Sequence, residues 1–168
     1  SDILLNSMPR YEAIIPSTKK SVSYRPFLVR DEKTLLTALE TSESEKDMIL
    51  TLSNLIMNCF TGIDNVSELH MSDLEYLLLQ LRSKSIGEVV EFSIVGDNEE
   101  TIEFSIDIGS DIEIVGEFGD KLIELKENLS VTFRYPRVKD LLEEKKSTNE
   151  TDNYIELISK CLLEIETP

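Results

Sequence analysis

The spacing of hydrophobic and polar positions changes character twice along the chain. Residues 11–30, YEAIIPSTKKSVSYRPFLVR, hold two short extended runs around a PSTKK turn, with Pro16 and Pro26 stopping each run, and predict a β-hairpin. From Asp31 the spacing becomes helical. Asp31 is placed as the N-cap of a helix through EKTLLTALE, whose Leu35, Leu36 and Leu39 share one face. After the polar break TSESE, a helix from about Lys46 to Phe60 sets Met48, Ile49, Leu52, Leu55, Ile56 and Cys59 on one stripe, and Gly62 ends it. Ser72 and Glu75 make an S-x-x-E capping box for a third helix lined by Leu74, Leu77, Leu78 and Leu81. Arg82 and Lys84 fall in its last turn, where cations suit the negative end of the helix dipole, and Gly87 terminates it.

At Glu88 the period becomes two. Val90, Phe92 and Ile94 alternate with Glu91 and Ser93, and past the GDNEE turn Ile102, Phe104, Ile106 and Ile108 alternate with Glu103, Ser105 and Asp107. Shorter strands are expected near residues 112–115, 121–125 and 130–135, with their acids facing outward. Pro136 fits the first turn of a helix through RVKDLLEEKK. The last helix, about Asp152 to Glu166, places Tyr154, Ile155, Ile158, Cys161, Leu162 and Ile165 on one face.

The pattern is that of an α+β fold: an N-terminal β-hairpin, a helical segment, a mainly antiparallel sheet and two C-terminal helices. It is read as a single domain over 1–168, with a basic hairpin at 9–30, a helical part at 31–87, a sheet at 88–135 and C-terminal helices at 136–168. The chain shows neither an internal repeat nor a heptad run.

Composition narrows the function. Of the 168 residues 40% are hydrophobic and 30% charged, the balance of a folding domain. A net charge of -16 argues against nucleic acid as a partner. No stretch reaches the roughly 20 apolar residues of a membrane span, and SDILLNSMPR lacks the basic start and apolar core of a signal peptide. A soluble protein made in the cytosol is expected. Charge is unevenly placed: residues 8–30 carry net +4, whereas residues 86–127 hold 13 acids against two lysines. The two cysteines, Cys59 and Cys161, sit on apolar stripes and read as buried thiols.

Catalytic patterns are sparse. His70 is the only histidine, ELHMSDLE does not resemble a nucleophile elbow, and a lone loop histidine reads as solvated. VGDNEETIEF has carboxylates and an asparagine but not the ligand spacing of a calcium loop. GEFGDK lacks the third glycine of a dinucleotide fingerprint. Acid pairs such as Glu99 with Glu100, or Glu143 with Glu144, arise by chance among 33 acids. The expectation is a non-enzyme without cofactor or metal, with a carboxylate-dependent enzyme as a remote alternative.

Two stretches carry a resemblance. YEAIIPSTKKSVSYRPFLVRDEKTLL and DLEYLLLQLRSKSIGEVVEF resemble the T4-type phage baseplate family, with its P-S-x-x-K-x-x-x-x-R-P-F-L-V-K-E-E-K opening and E-Y-L-x-L-Q-L-R-x-K-S-V-G-E centre. ELKENLSVTFRYPRVKDL followed by NYIELISKCLLEI is similar to its later segments. The resemblance spans about Pro9 to Ile165 and implies a baseplate hub subunit or hub assembly protein of a contractile-tailed phage. Its implied partners are other tail or baseplate hub proteins. Its implied place is the host cytoplasm during assembly or the baseplate of the virion tail. Some relatives carry Cys-x-x-Cys where this chain has VGDNEE, so no zinc site is implied here. Many relatives also continue past the last helix.

The residues expected to matter are of two kinds. Glu99, Glu100 and Glu103 belong to an acidic face placed to meet a basic or apolar partner surface. Arg25, Arg82 and Lys84 lie within the resembling motifs, where with Arg30 they either clamp the hairpin and the helix end onto acids of the same fold or face a partner.

Overall fold

A computed structural model describes residues 8–42, 44–96, 100–126, 129–143 and 149–167 and shows the mixture of helices and antiparallel sheets that the pattern predicts. The chain opens with a hairpin of β1 (Tyr11–Ile14) and β2 (Ser21–Tyr24). Helices α1 (Val29–Thr41) and α2 (Glu45–Cys59) follow, and the short strand β3 (Phe60–Thr61) returns to pair with β2. A 3-10 turn at Val66–Glu68 leads into α3 (Met71–Ser85). Next comes a hairpin of β4 (Val89–Val95) and β5 (Thr101–Asp107), then β6 (Lys121–Lys126), β7 (Leu129–Phe133), α4 (Val138–Leu142), α5 (Glu150–Cys161) and β8 (Leu162–Glu166).

The core lies in the first half of the chain. Register puts Tyr11, Ala13, Val22, Tyr24 and Phe60 on one face of the β1–β2–β3 sheet, and Tyr24 stacks on Phe60 with ring centroids 4.8 Å apart. That face meets Ile49, Leu55, Ile56 and Cys59 of α2 and Leu74, Leu77 and Leu81 of α3, the stripes that helical spacing predicts. Burial pushes the Tyr24 hydroxyl up to about 12 and the Cys59 thiol up to about 11. Val138 of α4 is fully enclosed in the same core and ties the last third of the chain to it.

Several expectations are corrected. The segment from Glu88 to Tyr135 is not one sheet: β4 and β5 form a two-stranded sheet, and β6–β7–β8 form another. Residues 112–115 are irregular, because alternation makes a strand only where a neighbour completes its hydrogen bonds. The last helix stops at Cys161, and Leu162–Glu166 becomes β8 along the free edge of β7. A short apolar run is ambiguous in period, and the unpaired edge decides it.

Helix starts are also displaced. Asp31 is not the N-cap of α1 but its third residue, where it accepts the N–H of Leu28 at 2.9 Å. Likewise α3 begins at Met71 rather than at the Ser72–Glu75 box, and Asp73 accepts the N–H of His70 at 3.2 Å. In both, the acid reaches back from inside the helix to satisfy a backbone donor before it.

The structure also contains the repeat that the sequence conceals. Hairpin β1–β2, helices α1 and α2 and strand β3 recur as hairpin β6–β7, helices α4 and α5 and strand β8, with the second strand central in each sheet. The wiring recurs too. Arg25 follows β2 as Arg134 follows β7; each donates its backbone N–H to a cysteine carbonyl, that of Cys59 at 3.1 Å and that of Cys161 at 3.0 Å. Each guanidinium reaches an aspartate six residues on at the third position of the next helix, Arg25 to Asp31 at 3.0 Å and Arg134 to Asp140 at 2.6 Å. Each also donates to the carbonyl before the cysteine, Asn58 at 3.1 Å or Lys160 at 2.8 Å. We call residues 11–61 module 1 and residues 121–166 module 2.

Candidate interaction surfaces

The basic residues picked from the sequence are mostly committed to the fold. Arg25 is buried, bonded to Asp31, to Asn58 and to the Pro26 carbonyl at 2.9 Å. Arg30 lies 3.7 Å from the other oxygen of Asp31 and is largely exposed. Arg82 donates to the carbonyl of Gly87 at 3.2 Å, closing the end of α3 where Gly87 takes a φ of 152° that favours glycine. Lys84 pairs with Glu88, lies over the Tyr11 ring, and has its pKa raised by the Glu88 hydrogen bond. The helix end is thus fastened to the start of β4 and to β1.

In the second copy of the clip Arg134 reaches both oxygens of its aspartate, at 2.6 and 2.9 Å. Burial works against charge on Asp140, yet the Arg134 guanidinium and the Arg137 N–H hold its carboxyl below the usual carboxylate range. Asp140 in turn raises Arg134. Beside it, Glu68 receives Arg137 at 2.6 Å and Lys139 at 2.8 Å, and these bonds, that of Lys139 first, lower its pKa. Asp73 is fully buried and takes both the N–H and the hydroxyl of Ser17. The buried Asp73 and Asp140 and the exposed Glu68 thus each join separate elements of the fold. The signature of the two arginine–aspartate clips was present in sequence as Arg and Asp six residues apart in RPFLVRD and RYPRVKD.

The β4–β5 hairpin is built differently. Register places Val90, Phe92 and Ile94 opposite Ile106, Phe104 and Ile102 on one face, with the Phe92 and Phe104 rings 5.1 Å apart. None of the described residues of either strand is buried. The other face carries Glu91, Ser93, Glu103 and Ser105. Glu100 and Glu103 are exposed, and Glu99 lies outside the described residues. The hairpin is held at its base, where Ile108 is buried and donates its N–H to the Glu88 carbonyl at 2.9 Å.

Two cavities open on module 2. One of about 420 Å³ lies between α5 and the inner face of its sheet, lined by Ile123, Phe133, Tyr135, Pro136, Leu157 and Ile158. Across Tyr135 and Pro136 it adjoins another of about 560 Å³, walled by Glu113–Phe118 and by His70. His70 is half-buried rather than solvated as expected of a loop histidine: it packs against Phe118 and Tyr135, which also meet each other, and its Nδ1 is buried without a hydrogen-bond partner. Both cysteines are free and buried. Among the described residues no group of three His, Cys, Asp or Glu is arranged to hold a metal, and no helix is long and apolar enough to cross a membrane.

The family model described as T4 bacteriophage base plate protein matches residues 8–168. No curated protein and no solved structure matches the chain.

Proposed function

The chain belongs to the T4 bacteriophage base plate protein family, and from that premise we propose that it works by binding other tail proteins while the baseplate hub is built, as a morphogenesis chaperone. The observation that carries this reading is the β4–β5 hairpin. A two-stranded hairpin is marginal in water unless its apolar face is packed, and this one presents Phe92, Ile94, Ile102 and Phe104 together and exposed, with Val90 and Ile106 half-buried toward its base. Its other side is carboxylate-rich. That pairing suits a partner with an apolar patch rimmed by cations, shielded until the assembly buries it.

Such a protein acts in the host cytoplasm. The net charge of -16 favours basic protein surfaces over nucleic acid. The carboxylates with lowered pKa, Glu68 and Asp140, are tied to cations that join elements, which supports binding over catalysis. A second reading, a structural hub subunit retained in the virion, is favoured by the outer edges of β4 and β5, which pair with no other strand among the described residues and suit permanent strand addition.

Quantitative mass spectrometry of purified mature virions separates the two. Absence from particles with abundance in infected cytoplasm supports the chaperone. A fixed copy number in the particle supports the subunit. Replacing Glu99, Glu100 and Glu103 by lysine tests the surface: capture of tail proteins weakens if the acidic side is read, and unchanged capture removes that surface from the proposal.

A further inference from the structure

The two modules share their wiring but not their covering. In module 1 the inner sheet face and α2 lie under α3: Leu74, Leu77 and Leu81 are buried there, the Tyr24 hydroxyl donates to the Gln80 carbonyl at 3.3 Å, and the Phe27 N–H donates to the Ser85 hydroxyl at 3.0 Å. In module 2 the corresponding positions are Phe133 for Tyr24, Leu162 for Phe60 and Ile158 for Ile56. No described helix plays the part of α3. Ile56 is 0% exposed, whereas Ile158 is 55% exposed and Ile123 45%.

We propose that the groove between α5 and the inner face of β6–β7–β8 receives an amphipathic helix from another protein, with leucine-type residues along one stripe and cations in its last turn. Three observations select this occupant. The same module elsewhere in this chain is completed by a helix, and a helix of the length of α3 spans about 22 Å. The groove is apolar along Ile123, Phe133, Leu157 and Ile158, which fits side chains at three-and-four spacing. At one end it continues into the cavity that Glu113 and Glu117 line, and α3 itself carries Arg82 and Lys84 in its final turn. The inference rests on the repeat and not on the baseplate reading, so the virion measurement leaves it standing.

The test uses the full chain and a fluorescein-labelled synthetic peptide of residues 71–85, followed by fluorescence anisotropy, with a scrambled peptide of the same composition as control. The native-order peptide is expected to bind, the scramble to bind at least about tenfold more weakly, and Ile158→Asp to weaken native-order binding by a similar factor. Ile158 is exposed, so its replacement is expected to keep the melting temperature, whereas Leu36→Asp on another exposed surface leaves binding unchanged. Equal binding of both peptides, or binding indifferent to Ile158→Asp, overturns the proposal. So does a chain that is a dimer in solution and becomes monomeric with Ile158→Asp, because the occupant is then a second copy.

Discussion

Module 1 and module 2 have the same strand order, the same arginine–aspartate clip and the same cysteine at the end of the second helix, yet one is sealed and the other open. Ala13, Val22, Tyr24, Ile56 and Phe60 are buried in the first, while Ile123, Ile158 and Ile165 are exposed in the second. The difference teaches that backbone wiring and apolar burial are separable. The clip at the start of the first helix specifies how strand, helix and returning strand meet. Whether the inner face closes depends on a further element, which α3 supplies once. Beyond Val89, only Ile108, Val131, Val138 and Cys161 are buried among the described apolar residues.

The largest expected effect comes from cutting the clip where it is sealed. Arg25→Ala leaves Asp31 buried without its buried cation, with only the exposed Arg30 near its other oxygen, and is expected to cost about 3–5 kcal/mol in denaturant unfolding. Arg134→Ala, whose side chain is more exposed, should cost less; an equal cost would mean that module 2 is as enclosed as module 1. Next comes a matched pair in the second helices. Ile56→Ala is expected to lose about 2–5 kcal/mol, and Ile158→Ala to stay within about 0.5 kcal/mol. Similar losses at both would break the comparison.

The smallest effect is one of pH. The folded-state pKa of Asp140 is lowered, with burial opposing and Arg134 favouring the charged form, so its contribution is present above the ordinary carboxylate range and lost as pH falls through and below it. Urea unfolding across acidic pH is therefore expected to give a shallower dependence for Asp140→Asn than for the parent chain. An unchanged slope would mean that the second clip does not polarise Asp140.

Much of module 1 and of the α3 that covers it was legible because burial and helical period agree: the stripes of α2 and α3 point at the core that encloses them. The β4–β5 pairing was legible from strict alternation, though alternation does not say whether either face is covered. The C-terminal strand was not legible, because LLEIE fits helix or strand and an edge distant in sequence decides between them. The repeat was hidden since it rests on Arg25 with Asp31 and Cys59, and Arg134 with Asp140 and Cys161, while the intervening helices differ in length and sequence. Three helix starts depend on an aspartate at the third helical position, Asp31, Asp73 and Asp140, a device that a search for Ser, Thr or Asp at the cap itself misplaces. Of the residues expected to meet a partner, Arg25 reads in sequence like any surface arginine in a basic stretch; only the arrival of Asn58 and Asp31 beside it makes it internal.

The central claim is that module 1 with α3 is a closed core while the β4–β5 hairpin stands uncovered, and amide hydrogen exchange of the full chain tests it segment by segment. The account predicts slow exchange across α2 and α3 and exchange in β4 and β5 faster by orders of magnitude, in a sample shown to be monomeric. Protection of β4 and β5 equal to that of α3 in the monomer would contradict it.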